Sequence, residues 1–188
     1  MLSVAKDIGY DVEGIEPGKA AAEYVGKQLG IRIHPNILSE AKLKYSKYGV
    51  ISYFHVLKHI PNPVEELDMI KSYLHHRGIL IIEVPDFAAF SWKLMGKNHR
   101  HLSKDHIYYF TRTSISTLLV NNGFKILLMQ NVPYFTSLSW LLRRFSQSMI
   151  PAESVKKLLT STSKSSVARK LVVRCDIGDV FFVVAQIL

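Results

Sequence analysis

The 188-residue sequence has a single cysteine, Cys175, so no internal disulfide can form and a disulfide-stapled secreted scaffold is excluded. It also has no long hydrophobic run. The longest, near Val180–Leu188, is half of the roughly eighteen residues that a membrane-spanning helix requires. The opening residues, Met1-Leu2-Ser3-Val4, lack a basic segment followed by an apolar stretch, so no signal peptide is expected and a reducing cytosol is the expected compartment. Internal repeats and low-complexity linkers are missing too. What is present is 48% hydrophobic and 21% charged residues, which suits one globular domain with a sizeable core and rules out a disordered chain.

Acids are scarce where bases cluster, within a net charge of +9. Residues 1–63 are nearly balanced, with eight Lys/Arg against six acids. Residues 143–174 carry Arg143, Arg144, Lys156, Lys157, Lys164, Arg169, Lys170 and Arg174 against Glu153 alone. A second basic stretch holds Lys93, Lys97, Arg100, Lys104 and Arg112 against Asp105. Such clusters suit nucleic acid, anionic lipid or a phosphorylated substrate, and a plain solvated surface accounts for them equally.

Short apolar runs alternate with helix-period segments. Leu2, Ala5 and Ile8 share a helical face closed by Gly9, residues 11–16 read as a strand broken by Pro17-Gly18, and Ala22, Val25 and Leu29 mark a helix closed by Gly30. Ile31-Arg32-Ile33 and Val50–Phe54 read as strands. Asn62-Pro63 with Glu65 and Glu66 behind it predicts a helix start, with Val64, Leu67, Ile70 and Leu74 on the buried face. Gly78–Val84 is the clearest strand, continuous enough to be covered on both faces. A helix over Thr113–Asn122, closed by Gly123, then leads to strands over Phe124–Met129 and Val180–Ile187. This alternation predicts a single α/β domain with a mostly parallel sheet and crossover helices. Two insertions interrupt it, residues 86–112 and the helical, basic residues 133–175. In the second, Leu138, Leu141, Leu142, Phe145 and Met149 share a face and Trp140 falls opposite, beside Arg143, Arg144 and Gln147. An exposed Trp among arginines suits a membrane surface or a partner protein, and a loosely packed Trp fits as well. Thr160–Ser166 reads as a loop.

Open parallel sheets bind ligands beyond the carboxyl ends of their strands, which here means Glu16 and Phe54-His55. A carboxylate at a strand tip can accept from both hydroxyls of a ribose. His55 and His59 have a helical metal spacing, yet His-Val-Leu-Lys-His lacks the glutamate base of a zinc protease and falls at a strand end, so no metal is expected. His99, His101 and His106 lie among basic residues, which suits substrate contact or plain surface better than a cation. Asp105-His106 fits a base with its orienter or a helix N-cap. Cys175 reads as a buried small residue.

Five segments, residues 9–17, 54–63, 78–85, 101–102 with 105–111, and 122–124, together resemble class I S-adenosylmethionine-dependent methyltransferases of the small-molecule type. Gly9-Tyr10-Asp11-Val12-Glu13-Gly14-Ile15-Glu16-Pro17 is similar to their second-strand motif, and Phe54-His55-Val56-Leu57-Lys58-His59-Ile60-Pro61-Asn62-Pro63 to the segment after strand four. Gly78–Pro85 resembles strand five, His101-Leu102 with residues 105–111 a segment of one subgroup, and Asn122-Gly123-Phe124 the turn before strand six. The likeness runs over about residues 1–132 in order. It implies a Rossmann-like sheet with helices on both faces, S-adenosylmethionine as cofactor, and transfer of its methyl group to a small-molecule acceptor such as a sugar or a lipid-linked intermediate. By position, Glu16 would bind the ribose, Ile37 and Leu38 would lie near the adenine, and Phe54, His55 and Val56 would line the methionine end. His55, His59, His101 and His106 are the candidate bases or substrate contacts.

The departures are specific. The family's first strand and glycine-rich loop precede the ribose acid by roughly twenty residues, which falls before Met1, so the expected sheet lacks its central first strand. Gly49 stands where an acid opens strand four, Lys58 where Glu is common, and His75-His76-Arg77-Gly78 replaces the usual Leu-Lys-Pro-Gly-Gly type of turn. A non-catalytic remnant that serves as a binding module is therefore the alternative reading. Binding of anionic lipid, partner protein or nucleic acid through residues 138–174 is the third, with nucleic acid ranked low for want of interleaved aromatic and basic residues. Acceptor and oligomeric state are not written in the sequence.

Overall fold

Helix-and-strand units alternate from the first residues of the computed structural model, which describes residues 1–45, 47–147 and 152–188. Helix α1 (Leu2–Asp7), strand β1 (Glu13–Ile15), helix α2 (Lys19–Leu29) and strand β2 (Arg32–His34) come first. The chain leaves α1 and α2 through Gly9 at φ 95° and Gly30 at φ 59°, left-handed turns that a glycine makes at little cost. Next come β3 (Tyr48–Phe54), α3 (Pro63–Tyr73), β4 (Leu74–Pro85), α4 (Phe90–Met95), α5 (Arg112–Asn121) and β5 (Phe124–Asn131). The chain then runs through β6 (Tyr134–Ser137), α6 (Leu138–Ser146), α7 (Glu153–Ser163), α8 (Ser166–Lys170), β7 (Val172–Cys175) and β8 (Val180–Ile187).

Strands β1 and β2 pair in parallel, and the main sheet has the order β3-β4-β8-β5. β3 and β4 are parallel, while β8 is antiparallel to both of its neighbours. In direction, β3, β4 and β5 therefore agree and β8 alone opposes them, which gives the α/β, mostly parallel arrangement that the alternation predicts. Among the described residues neither β1 nor β3 has a strand on its other edge.

Helices α3 and α5 close one face of the main sheet. Leu67, Ile70, Ile115 and Leu119 meet Leu80, Ile82, Val84, Phe181 and Val183, all fully buried. Asn62 caps α3 by accepting from the Glu65 N–H, with Pro63 at the first helical position as read from the sequence. The expected buried face needs one correction. Val64 is 46% exposed, and Glu66 and Tyr73 turn inward instead, Glu66 taking the Tyr53 hydroxyl at 2.5 Å. Residues 78–84 are not sealed on both faces either. Ile79, Ile81 and Glu83 are half-buried, and their register neighbours Val50 on β3 and Leu128, across β8, are exposed.

Residues 133–175 leave and return through a β6–β7 ribbon that pairs Tyr134 with Cys175 and Ser137 with Val172. Thr160–Ser166 is not a loop. α7 continues to Ser163, with the Thr162 and Ser163 hydroxyls donating to the Leu158 and Thr160 carbonyls within the helix, and Ser165 caps α8. In α6, Leu138, Leu141 and Leu142 are half-buried and Phe145 is exposed, while Met149 lies outside the described residues. Trp140 is half-buried with its ring edge-on to Tyr134, which agrees with the packed Trp of the two readings and not with the exposed one. Cys175 is buried, and no helix among the described residues is long and apolar enough to cross a membrane.

Candidate functional site

The carboxyl end of β3 carries the most unusual backbone in the described chain. His55 donates its N–H to the Glu83 carbonyl at 2.9 Å, one step beyond the strand, and then adopts φ 58°, the only positive φ at a non-glycine residue described. A left-handed side-chain-bearing residue costs about 1 kcal/mol or more and persists where its surroundings dictate it. The turn aims the ring at two partners. Nε2 lies 3.2 Å from Glu83 Oε1, and Nδ1 lies 3.4 Å from Lys58 Nζ. Lys58 is 6% exposed, and burial pulls its ammonium pKa down against the opposing pull of Glu83. Its carbonyl accepts the N–H groups of Ile107 and Tyr108, which ties the 86–112 segment to the end of β3.

That segment brings a second layer of rings. His101 lies 5.8 Å from His55 and 5.6 Å from His99, centroid to centroid, and Trp92 stacks on His99 at 3.8 Å. Burial first, then the charges of Arg100 and Arg144, hold His99 down to about 4. Burial, then Arg100 and the neighbouring histidines and Lys58, hold His101 at about 3. Both rings are therefore neutral near pH 7, and His101 Nε2 is buried without a hydrogen-bond partner among the described residues. Behind them sits Asp179, 2% exposed at the head of β8, gripped by Arg100 through two bonds of 2.9 and 3.1 Å.

The remaining histidines form a separate pair. His59 donates Nδ1–H to the Asp105 carbonyl at 2.8 Å and meets His106 edge-on at 5.0 Å. Burial, then Lys58, lowers the His106 pKa. His55 and His59 thus face different partners despite their spacing. Asp105 caps no helix, since α5 starts at Arg112 with Thr111, six residues after Asp105, as its cap.

Glu16 follows β1 directly and is half-buried, with Oε1 accepting the Gly18 N–H at 2.9 Å. Of the two residues placed near an adenine, Ile37 is exposed, whereas Leu38 is buried in the core and offers a ligand no side chain. Phe54 is half-buried and Val56 exposed, on either side of His55. The other acid of β1, Glu13, has a different task. It bonds His34 on β2 at 2.7 Å, Lys47 at 3.0 Å and the Tyr48 hydroxyl on β3. Burial pushes its carboxyl pKa up, but these hydrogen bonds and the Lys47 charge together win and set it at about 2.

Sequence reasoning missed Glu83 and Asp179, counted Arg100 and Arg144 only among the basic clusters, and treated Lys58 only as a departure. The signal for Glu83 was available, as a lone acid within an apolar strand. Asp179 is joined to Arg100 across 79 positions, which no local pattern reveals.

A family model described as a methyltransferase domain matches residues 1–128. No curated protein matches the chain. Its fold is similar to that of a SAM-dependent methyltransferase from Thermotoga maritima, at 14% identity and TM-score 0.60 over 98% of this chain and 76% of that one. A SAM-dependent methyltransferase from Archaeoglobus fulgidus is similar at 14% identity and TM-score 0.50, over 97% and 90% of the two chains. An N-methyltransferase of Haemonchus contortus, solved with phosphomonomethylethanolamine and S-adenosylhomocysteine, gives 15% identity and TM-score 0.56 over 98% of this chain and 45% of that one. S-adenosylmethionine is the cofactor these findings indicate, and the chain belongs to the methyltransferase-domain family.

Proposed function

We propose that the chain transfers a methyl group to a small-molecule acceptor at the carboxyl end of β3, with His55 as the base. The observation that carries this reading is the strained His55 backbone, which sets one imidazole between Glu83 and Lys58. The residues at hand suit the cofactor at its two ends. Glu16 Oε2 accepts no hydrogen bond among the described residues, which leaves it for a ribose hydroxyl, and Phe54 and Val56 offer apolar surface beside His55. S-adenosylmethionine supplies a methyl group on a sulfonium, ready for in-line displacement, so alignment and exclusion of water contribute most of the rate.

The four histidines then divide by environment. His101, held at about 3, is too weak a base to take a proton near neutral pH but can hydrogen-bond an acceptor. His55 has the Glu83 carboxylate at Nε2 to orient its ring, so an acceptor hydroxyl or amine there can lose its proton to Nδ1. Lys58, its pKa lowered, can donate to that same nitrogen between turnovers.

Calorimetric titration of the chain with S-adenosylhomocysteine tests the reading. We expect saturable binding that Glu16→Ala weakens at least about tenfold, the loss of one charge-assisted hydrogen bond. No binding by a demonstrably folded chain would sink it in favour of a non-catalytic methyltransferase-like module.

A further inference from the structure

The two inserted segments enclose a cleft of about 310 Å³ between α4 and α6. Its walls are apolar, with Leu94 and Met95 on one side and Trp140, Leu141 and Phe145 on the other. Its polar groups do not balance. Arg100 is engaged by Asp179 in a two-bond pair. Arg144 meets no carboxylate among the described residues; it donates to the Asn98 carbonyl at 2.5 Å and the Gln147 side chain at 3.5 Å. His99, the histidine lining the space, is neutral near pH 7. Two guanidiniums thus confront one carboxylate in a half-buried setting, where an unpaired charge is costly and a matching anion is strongly attracted. The Tyr134 hydroxyl adds a second unmet demand, being buried without a hydrogen-bond partner among the described residues. Arg144 and Tyr134 both lie within 6 Å of the Trp140 ring, at 5.8 and 5.9 Å.

We propose that this cleft takes a molecule in which an anionic group, carboxylate or phosphate, is joined to an apolar body. The anion sits at Arg144 and Tyr134, and the body lies against Trp140, Leu141 and Phe145. Guanidinium nitrogens in a planar fork match either oxyanion, and the aromatic wall supplies area at low entropic cost. The ligand's role as methyl acceptor rests on the methyl-transfer reading above. His99 lines the cleft and His101 stands between it and His55, with ring separations of 5.6 and 5.8 Å. A molecule held by its anion at Arg144 can therefore extend its nucleophile toward the proposed base.

The test uses the full chain and three probes that share one ring system: 2-naphthyl phosphate, 2-naphthoate and 2-naphthol, each titrated calorimetrically. At least one anion should bind about tenfold more tightly than the neutral naphthol, and the tighter anion identifies the group the site was built for. Arg144→Gln should weaken the anions about 10- to 100-fold and leave 2-naphthol unchanged, while Lys157→Gln, an exposed cation elsewhere, should change nothing. Equal affinity for naphthol and both anions, or a folded Arg144→Gln chain that binds anions as the parent does, overturns the proposal. Should Arg144→Gln fail to fold, Tyr134→Phe decides, since undiminished anion affinity there also overturns it. A parallel titration with S-adenosylhomocysteine separates the two readings. Arg144-dependent anion binding without cofactor binding keeps the ligand class and ends the acceptor role. Cofactor binding without anion preference ends this proposal alone.

Discussion

The main sheet and the β1–β2 pair are held by different forces. Across β4 and β8, Leu80, Ile82, Val84, Phe181 and Val183 are sealed under α3 and α5, so apolar burial holds the sheet. The β1–β2 pair has Ile15 packed against that core, but its joint to β3 is the carboxylate of Glu13, shared among His34, Lys47 and Tyr48. The difference teaches that the candidate cofactor acid, Glu16, rides on the part whose attachment is polar, while the candidate base, His55, stands on the part whose attachment is apolar.

The sharpest way to test that contrast is at the sheet centre. Phe181→Ala should cost about 3–5 kcal/mol in urea unfolding, because the ring is fully buried and the cavity cannot close. A loss below about 1 kcal/mol would mean that the sheet is not held as described.

Acid should act next, and in sequence. His99 and His101 have folded pKa values of about 4 and 3 against 6.5 unfolded, so the unfolded chain binds their protons first and stability drops as pH falls below 6.5. Glu13, at about 2 against 4.5, contributes stability that is fully present above 4.5 and lost only on approach to 2. Between pH 6.5 and 5 the loss should be on the order of 2 kcal/mol and arise from the histidine layer. Hydrogen exchange should then show residues 90–110 losing protection before residues 13–15 and 32–34. The reverse order breaks the comparison.

Glu13→Gln should cost about 1–3 kcal/mol, because it removes a charge with three partners and leaves Lys47 and His34 poorly paired. The loss of exchange protection should concentrate in β1 and β2 and spare β4 and β8. Tyr48→Phe is the gentlest probe. It deletes one donor to Glu13 and should cost about 1 kcal/mol, with the Glu13 pKa rising from about 2 when followed by NMR titration.

Much of this architecture was legible in the sequence because it is local. The Asn62-Pro63 cap, the glycine exits at Gly9 and Gly30 and the apolar run at residues 79–84 each announce themselves within a few residues. The α3 face was misread at Val64 because Tyr53, on another element and thirteen residues before Glu66, accommodates that buried carboxyl and turns the helix. The serine-rich stretch was misread as a loop because hydroxyls that return to helix carbonyls look, in sequence, like hydroxyls that favour turns. At the candidate site the sequence singled out His55 and offered Glu83 as a lone acid in an apolar strand, but nothing local joins His55 to Glu83 or Arg100 to the buried Asp179. Those contacts follow from strand order, and strand order is a global property.

The β6–β7 ribbon has a consequence for how such a protein can change. Because Tyr134 and Cys175 face each other across one ladder, the forty residues between them begin and end at a single point of the fold. A segment anchored at one point can be lengthened, shortened or exchanged without shifting the register of β5 against β8. If the cleft holds the ligand proposed above, descendants of this chain can acquire a new ligand preference by rewriting that one excursion, while the strands that lead to His55 and Glu16 stay as they are.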